Sequence, residues 1–511
     1  MRRAAACGVL AALLLGAHAI HAAALTGAPQ LARVYDAIFD ARFEQVPGLL
    51  AQTCPVNGPG VAPAEVCQLL DVVSLWWQIQ LDPDDTSRDS SFQTKVDAIV
   101  AAMDAWTARE PQRAEAWFYL GGAYGARAQW RVLRGERVAA ARDGKRIKEA
   151  LERSLALDDD LQDAYFGIGL YHYYADVAPA AAKVLRWLLM LPGGDKAAGL
   201  DEMLRARSGG QLLRDEADYQ LHVIYLWYEK QPERALELLR GLRDRHPRNG
   251  HFTQRIAEIE DGYLHDLTAS LRSWTALLDA ARARRVADPP GAQARARLGM
   301  ALQLDRLFET DLAIEQLRAI AGAPGPLPFG LLAQAQLQLA QALDRIGSRA
   351  DAVAAYRAAL DALPPGDPHK IADRARTGIR TAPNGEAALA YRLSIEGWRA
   401  LERGALGDAD RLLSQSLTLR PADQVTRYRQ ARLLRARKSD NEALDAYEAI
   451  VRARARTPPT FYASACVDAA RLHEQDGNTA RAIELYQIAR DVFGADQRTK
   501  DAAVRALARL T

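Results

Sequence analysis

Two stretches of the C-terminal half decide the fold: GDADRLLSQSLTLRP at residues 407–421 and DNEALDAYEAIVRA at residues 440–453. Ala409 in the first stretch and Ala443 in the second lie 34 residues apart, and apolar residues recur around both at helical spacing. A period of this length is typical of stacked helix pairs, because a single pair cannot bury its apolar face alone. The two stretches therefore predict a helical-repeat protein.

The same offset relates Gly397 to Ala431 and Leu413 to Tyr447, so that small residues match small ones and large residues match large ones. This pattern resembles the tetratricopeptide repeat, in which small residues at fixed positions let two antiparallel helices approach closely. Further copies are indicated by small residues at equivalent positions, namely Gly121, Gly169, Ala235, Ala340, Ala352, Ala470 and Ala482. The resemblance implies an all-α fold, a tetratricopeptide-type α-solenoid in which antiparallel helix pairs form a superhelix.

The N-terminal half departs from this period at GLYHYYADVAPAAAKVLRWLLMLPGGDK, residues 169–196. Tyr165 and Tyr219 hold equivalent repeat positions but lie 54 residues apart, 20 more than one repeat. The extra residues include leucines and a tryptophan that need apolar partners, and the apolar run is too short to cross a bilayer. They predict an inserted helix, within residues 175–195, that covers or plugs the groove of the N-terminal repeats.

A Pro/Gly-rich break, VADPPGA at residues 286–292, predicts a soft domain boundary. We expect an irregular, aromatic-rich helical-repeat domain at residues 30–285 and a more regular tetratricopeptide repeat array at residues 286–511. Residues 30–260 also resemble the N-terminal region of exported bacterial tetratricopeptide proteins, through LWWQIQLDPDD, FYLGGAYG, GIGLYHYYADVAP and LPGGDKAAGL. That resemblance supplies no catalytic residues.

Residues 1–24 have the pattern of a secretory signal peptide. Two arginines precede an apolar run from Ala4 to Leu15, and A-x-A cleavage motifs follow at residues 17–19 and 22–24. We therefore expect an exported protein of the periplasm of a Gram-negative bacterium, with association with the outer membrane left open. Since no later segment has about 18 uncharged apolar residues, we expect no transmembrane segment.

Export makes the cysteines informative. Cys54 and Cys67 flank a Pro/Gly-rich loop, and in an oxidising compartment this spacing favours a disulfide that pins the loop. A zinc site would want closer spacing and nearby histidines, which the sequence does not offer. Cys466 lies on an apolar helix pattern, which predicts a small buried core residue.

The sequence offers no motif for catalysis, and we expect no cofactor, no metal and no enzyme activity. It contains no H-E-x-x-H, G-x-S-x-G, Walker or Rossmann motif. PGGDK at residues 192–196 predicts a turn before a helix, and the acidic clusters at 81–91 and 155–165 lack the spacing of a calcium loop. His172 lies at a repeat position that faces a neighbouring helix, which favours a hydrogen-bonded core histidine. The formal net charge of +2 gives no electrostatic argument for nucleic-acid binding.

The remaining candidates are side chains on the concave face of the repeats. The N-terminal set is aromatic and suits peptides or apolar ligands, and it contains Phe118, Tyr119, Phe166, Tyr173, Tyr174, Trp227 and Tyr228. These rings could instead bury one another or pack against the inserted helix. The C-terminal set suits carboxylates, and it contains Trp398, Arg429, Arg432, Arg435 and Arg471. A solvated arginine face in an arginine-rich protein is the alternative for this second set.

These patterns together predict an exported, non-enzymatic scaffold that binds a protein or peptide in its concave groove, with a role in envelope assembly or as an adaptor. The alternative is a binding module for an apolar small molecule or lipid in the aromatic N-terminal groove. The sequence leaves open the identity of the partner, the biological process and the oligomeric state.

Overall fold

The computed structural model describes residues 25–55, 60–177, 193–322 and 327–511. Within these ranges the chain forms 24 α-helices and one short 3-10 helix and contains no strand, which confirms the all-α prediction for this part of the chain. None of the helices in these ranges is long and apolar enough to cross a membrane. The predicted signal peptide lies outside the described residues, and so do residues 178–192 of the predicted inserted helix.

The first eight helices are α1 (Ala28–Phe39), α2 (Val46–Thr53), α3 (Ala64–Leu81), α4 (Asp89–Arg109), α5 (Ala114–Leu133), α6 (Arg137–Leu157), α7 (Ala164–Val177) and α8 (Lys196–Gly209). The next eight are α9 (Arg214–Trp227), α10 (Pro232–Arg245), α11 (Gly250–Gly262), α12 (Leu267–Arg282), α13 (Pro289–Arg306), α14 (Thr310–Ala321), α15 (Leu331–Arg345) and α16 (Arg349–Asp361). The last eight are α17 (Ile371–Arg380), α18 (Gly385–Glu402), α19 (Leu406–Leu419), α20 (Gln424–Ala436), α21 (Asp440–Arg452), α22 (Pro459–Gln475), α23 (Thr479–Asp491) and α24 (Gln497–Leu510).

The chain divides into two compact units. The first contains the described residues of 1–32, 53–69 and 97–214, and the second contains those of 33–52, 70–96 and 215–511. The boundary that the sequence predicts near residue 286 falls within the second unit, and the division into residues 30–285 and 286–511 stays a prediction.

Helices α5 and α6 pack against each other as one pair of the first unit. Gly121 on α5 lies against Leu151 on α6, where a Cβ atom would come within 2.8 Å of the leucine side chain. Ser154 on α6 donates from Oγ to the carbonyl oxygen of Ala114, at 2.8 Å. The glycine that marks this repeat in the sequence is therefore required for the close approach of the two helices.

Helices α7 and α8 also pack against each other, although the chain between them is longer than a repeat turn. A Cβ atom on Gly169 would lie 2.7 Å from the carbonyl oxygen of Gly199, and one on Gly199 would lie 2.6 Å from that of Gly169. Asp195 is the N-cap of α8, since its side chain accepts hydrogen bonds from the backbone N–H groups of Ala197 and Ala198 at 3.0 Å. The predicted turn before a helix is confirmed at this point, and the extra residues leave the helix pair intact.

A disulfide joins Cys54 and Cys67 in the first unit, with their Cα atoms 6.3 Å apart. It closes the loop between α2 and α3, as the spacing and composition of that loop predict. Cys466 is a free cysteine and is completely buried in the core of the second unit, as its apolar surroundings in the sequence predict.

The second unit shows the repeat in its regular form. Consecutive helices pack against one another from α11 to α17 and from α18 to α24, and Ala409, Ala443, Leu413 and Tyr447 are all completely buried. Gly397 on α18 lies against Leu413 on α19, where a Cβ atom would come within 2.8 Å of the side chain. The 34-residue pattern is thus the pattern of the buried helix crossings. The described helices of the second unit form a helical-repeat array of the tetratricopeptide type.

Helix pairs that are far apart in sequence also meet within the second unit. The side chain of Arg272 lies 3.2 Å from that of Asp496, and the backbone N–H of Gln497 donates to the carboxylate of Asp266 at 3.1 Å. Helix α12 and the residue before it are therefore held against the start of α24. No period in the sequence predicts these contacts.

We predict that Gly397→Val lowers the free energy of unfolding of the second unit by about 1–3 kcal/mol, because the added methyl groups overpack the crossing with Leu413. The measurement is urea denaturation followed by circular dichroism. Gly407→Ala is the control, since a Cβ atom there meets nothing within 4 Å and alanine favours the helix. Equal losses in the two variants would contradict the close packing at Gly397.

Candidate functional site

Four of the seven aromatic residues predicted to line the N-terminal groove are buried in the first unit. They are Phe118, Tyr119, Phe166 and Tyr173. The ring of Tyr119 stacks on that of Trp106 with centroids 6.3 Å apart and lies 4.8 Å from that of Phe118. Tyr173 meets Tyr174 edge-on at 5.7 Å. The rings thus pack against one another here, and their binding of a partner, or of an apolar small molecule, stays a prediction.

Tyr174, also in the first unit, is partly buried. The last two residues of the aromatic set, Trp227 and Tyr228, belong to the second unit. Their side chains lie at the end of α9 and are 49% and 42% exposed. The carbonyl oxygen of Trp227 accepts a hydrogen bond from the ammonium group of Lys230 at 2.6 Å. Trp227 and Tyr228 are thus exposed, whereas the four rings of the first unit are buried.

The arginines of the C-terminal set differ sharply from one another. Arg429 on α20 is only 2% exposed, and its guanidinium donates to Ser394 Oγ at 2.9 Å and to the carbonyl oxygen of Phe308 at 2.7 Å. The guanidinium carbon also lies 5.9 Å from the ring centre of Trp398. Burial lowers the pKa of Arg429, while the nearby carboxylate of Glu309 acts in the opposite direction. The donors of this arginine are thus used within the protein, between α20, α18 and the turn before α14.

The turn between α13 and α14 lies against the face on which the C-terminal set was predicted. The ring of Phe308 is 6.1 Å from that of Tyr391 and 5.7 Å from that of Phe461, and the hydroxyl groups of Thr310 and Tyr391 are 2.7 Å apart. Arg399 on α18 binds the carboxylate of Asp311 with two hydrogen bonds of 2.7 and 2.9 Å, and this pair raises the pKa of the arginine. Part of the predicted binding face is therefore occupied by the chain itself.

Arg432 and Arg471 are the two arginines that the structure brings together and leaves accessible. Their side chains are 46% and 55% exposed, and both flank Asp468, which is 15% exposed. Arg471 donates to Asp468 at 3.1 Å, and the nearest guanidinium nitrogen of Arg432 is 3.7 Å from the same carboxylate. Tyr428 donates to Asp468 at 3.1 Å, and burial, followed by this carboxylate, raises the pKa of Tyr428 to about 12. We call Arg432, Asp468 and Arg471 the Arg–Asp–Arg group; it carries one net positive charge.

Arg435 and Trp398 complete the predicted set. The guanidinium of Arg435 forms an ion pair of 2.6 Å with Asp440, at the turn between α20 and α21. It therefore lies apart from the Arg–Asp–Arg group. Trp398 is partly buried, and its ring contacts Arg429, one helical turn before Arg432.

Sequence reasoning missed Asp468 and Phe308, which decide how these arginines behave. Asp468 lies three residues before Arg471 on one helix, and this i,i+3 spacing in the sequence indicates an ion pair. Phe308 lies 121 residues before Arg429, and no local pattern connects the two.

A second group of ionisable side chains lies in the core of the second unit. Burial raises the pKa of Glu216 to about 7 and lowers that of His222 to about 3. The hydroxyl of Tyr219 is 3.0 Å from Nε2 of His251, and burial raises the pKa of this tyrosine to about 12. Burial favours the neutral form of each of these three groups. His172 is partly buried in the first unit, where its Nδ1 atom lies 2.8 Å from the carboxylate of Glu202.

The part of the chain that the structure describes holds no group of three or more His, Cys, Asp or Glu side chains that could bind a metal ion. No protein-family model matches the sequence, and no curated protein matches it.

Several solved structures are similar to the chain. The TPR2AB domain of yeast Sti1, in complex with pHSP90, is 14% identical over 58% of this chain and 96% of that chain, with a TM-score of 0.22. The TPR domain of P58(IPK) is 14% identical over 86% of this chain and 98% of that chain, with a TM-score of 0.22. A Rap protein in complex with competence and sporulation factor is 15% identical over 95% of this chain and 99% of that chain, with a TM-score of 0.32. At TM-scores this low, the similarities support no inference about function.

We predict that the unfolding free energy of Glu216→Gln, relative to that of the wild type, is higher at pH 8 than at pH 5. The raised pKa of Glu216 contributes stability that is fully present below its ordinary pKa of 4.5 and is lost as the pH rises through about 7. Since glutamine cannot ionise, the variant should gain on the order of 2–3 kcal/mol over the wild type between pH 5 and pH 8. The contribution of His222 is common to both proteins and cancels.

The measurement is the difference in unfolding free energy between variant and wild type at the two pH values. Glu237→Gln, at an exposed position of α10, is the control and should show no such difference. A Glu216→Gln effect that is the same at pH 5 and pH 8 would show that Glu216 does not titrate in this range.

Proposed function

We propose that the chain is an exported, non-enzymatic helical-repeat scaffold that binds a protein or peptide partner through carboxylates of that partner. The observation that carries this proposal is the Arg–Asp–Arg group, in which two exposed guanidinium groups share one carboxylate. The binding surface extends from Trp398 through Arg432 to Arg471. A role as an adaptor or assembly factor of the bacterial envelope follows from the signal peptide predicted at residues 1–24.

The donors of the Arg–Asp–Arg group support carboxylate recognition. A guanidinium has five N–H donors and no acceptor. Arg471 donates one hydrogen bond to Asp468 and Arg432 one to Tyr428. The side chains of Arg432 and Arg471 are about half exposed, and the group carries one net positive charge. A carboxylate that enters between the two arginines would accept hydrogen bonds from both.

The strength of such a contact is modest, because exposed ion pairs contribute only about 0–1 kcal/mol each. A partner must therefore use several contacts, and Trp398 offers a partly exposed aromatic ring on the neighbouring helix pair. Tryptophan and arginine are the residue types most often found at the energetic centre of protein interfaces. We accordingly place the partner's acidic residues near Arg432 and Arg471 and an apolar residue near Trp398.

The test is binding to an immobilised set of peptides, each displayed once with free carboxylates and once with amides in their place. We predict that the wild type prefers the carboxylate forms and that Arg432→Ala/Arg471→Ala weakens their binding about 5- to 30-fold, equivalent to one or two exposed charge contacts.

The matched control is Arg376→Ala/Arg411→Ala. Each of these arginines is similarly exposed and pairs with an aspartate three residues earlier, so the change in net charge is identical. If the control double variant loses as much binding, or if the wild type does not distinguish acids from amides, the carboxylate proposal is wrong.

Export has its own test. We predict that protein purified from the periplasmic fraction of a Gram-negative host lacks residues 1–24, or residues 1–19 if the first A-x-A motif is cleaved. Intact-mass spectrometry distinguishes these products from the full chain. Replacing the two arginines at positions 2 and 3 with glutamate should retain the uncleaved chain in the cytoplasm. A full-length chain in the periplasm would contradict the predicted signal peptide.

A further inference from the structure

The loop that follows α3 packs onto the repeat array of the second unit. Asp82 accepts a hydrogen bond from the backbone N–H of Phe329 at 3.0 Å, just before α15 begins. The same carboxylate lies 3.6 Å from the guanidinium of Arg295 on α13. Asp84 forms an ion pair of 3.1 Å with His369, just before α17 begins. Helix α13 and the turns before α15 and α17 thus hold one acidic loop.

The loop interacts mainly through its carboxylates. Arg295 also donates to the carbonyl oxygen of Leu81 at 3.3 Å, so that its guanidinium bridges the end of α3 and Asp82. Burial raises the pKa of Asp82, and the hydrogen bond from Phe329 and the charge of Arg295 act against that rise. Within the protein, therefore, this face of the array binds carboxylates.

An open pocket lies directly beside the docked loop. Its volume is about 180 Å³, and His369 lines it while also contacting Asp84. Leu298, Leu302 and Leu337 supply apolar walls, and Arg374 supplies a second basic group. A pocket of this kind has room for one apolar side chain.

The pocket and the carboxylate contacts lie on the same face. Leu298 and Leu302 follow Arg295 by one and two helical turns on α13. The docked loop covers the Arg295 end of this face, and the leucine end is uncovered, with Leu302 38% exposed. We call residues 82–85 the acidic loop, and this face of α13, α15 and α17 the loop-docking face.

We infer that the loop-docking face is a second partner-binding site, which takes an acidic segment with an apolar side chain beside its carboxylates, and that the acidic loop occupies part of it until such a segment displaces the loop. The site is separate from the Arg–Asp–Arg group and does not depend on it. The partner's carboxylates replace those of Asp82 and Asp84 against Arg295 and His369. Its apolar side chain enters the pocket that the loop leaves empty.

Displacement is feasible because a partner's carboxylates would form the same ion pairs with Arg295 and His369 that Asp82 and Asp84 form. The Asp84–His369 pair is about two-fifths exposed on both sides and contributes little. The acidic loop has the advantage of being tethered, which gives it a high effective concentration at the face. A partner compensates for this by filling the pocket. Acidic peptides that lack an apolar side chain for the pocket bind too weakly to displace the loop.

The experiment uses the loop's own sequence as a probe in trans. A fluorescein-labelled peptide with the sequence of residues 80–88, QLDPDDTSR, is titrated with full-length protein, and binding is measured by fluorescence anisotropy. A peptide with asparagine at the positions of Asp82 and Asp84 is the control probe. We predict that the Asp82→Ala/Asp84→Ala protein binds the acidic peptide at least about tenfold more tightly than the wild type, because the tethered competitor is gone. The asparagine peptide should bind neither protein.

Two further variants test the assignment of the face. Adding Arg295→Met and His369→Ala to the Asp82→Ala/Asp84→Ala protein should weaken its binding of the acidic peptide about tenfold and so remove the gain. Asp408→Ala/Asp410→Ala changes the net charge equally on α19 and should leave binding at the wild-type level. Thermal unfolding checks that each variant is folded. If Asp82→Ala unfolds the protein, Asp84→Ala alone, at an exposed position, should show a smaller gain of the same sign.

The inference is overturned if the Asp82→Ala/Asp84→Ala protein binds the acidic peptide no better than the wild type, or if the gain persists without Arg295 and His369. The Arg432→Ala/Arg471→Ala protein separates this inference from the proposed function, since it should bind the loop peptide as the wild type does. A loss of loop-peptide binding in that variant would show that the two sites are not independent.

Discussion

The buried guanidinium of Arg429 is the constraint on which the C-terminal face of the second unit depends. Arginine keeps its charge in any protein environment, so a buried arginine must have its donors satisfied. Arg429 meets this requirement by hydrogen bonding to Ser394 and to the carbonyl oxygen of Phe308. The turn before α14 must therefore stay against α18 and α20, and the ring of Phe308 packs between Tyr391 and Phe461 as a result.

This constraint separates the arginines into two kinds. Arg429 and Arg399 connect parts of the second unit that are about 90 to 120 residues apart, whereas Arg432 and Arg471 remain exposed around Asp468. The protein also uses its own acidic loop against Arg295 and His369. Several arginines of the repeat surface thus bind groups of the protein itself. The arginines that remain exposed define the surface offered to partners.

Local patterns were sufficient to predict the helices and their pairing. Gly121, Gly169 and Gly397 mark crossings at which a side chain would collide with the facing helix, so the chemistry of these positions is visible in the sequence itself. The N-cap at Asp195 and the disulfide between Cys54 and Cys67 are equally local, since each depends on residues that are close along the chain. The aromatic set was different, since four of its rings are buried in the first unit. Repeat spacing predicts which face of a helix a residue lies on, but it does not predict what packs against that face.

The sequence by itself determined the all-α repeat architecture, the helix crossings and the candidate arginines. These follow from residue size and spacing within one or two helix turns, which every copy of the repeat must satisfy. Only the tertiary structure decided that Arg429 is buried, that Arg432 and Arg471 share Asp468, and that residues 82–85 dock onto α13 and the turns before α15 and α17. The physical reason is that an arginine's role is set by the partner its donors reach, and in a stacked array that partner can come from a turn hundreds of residues away.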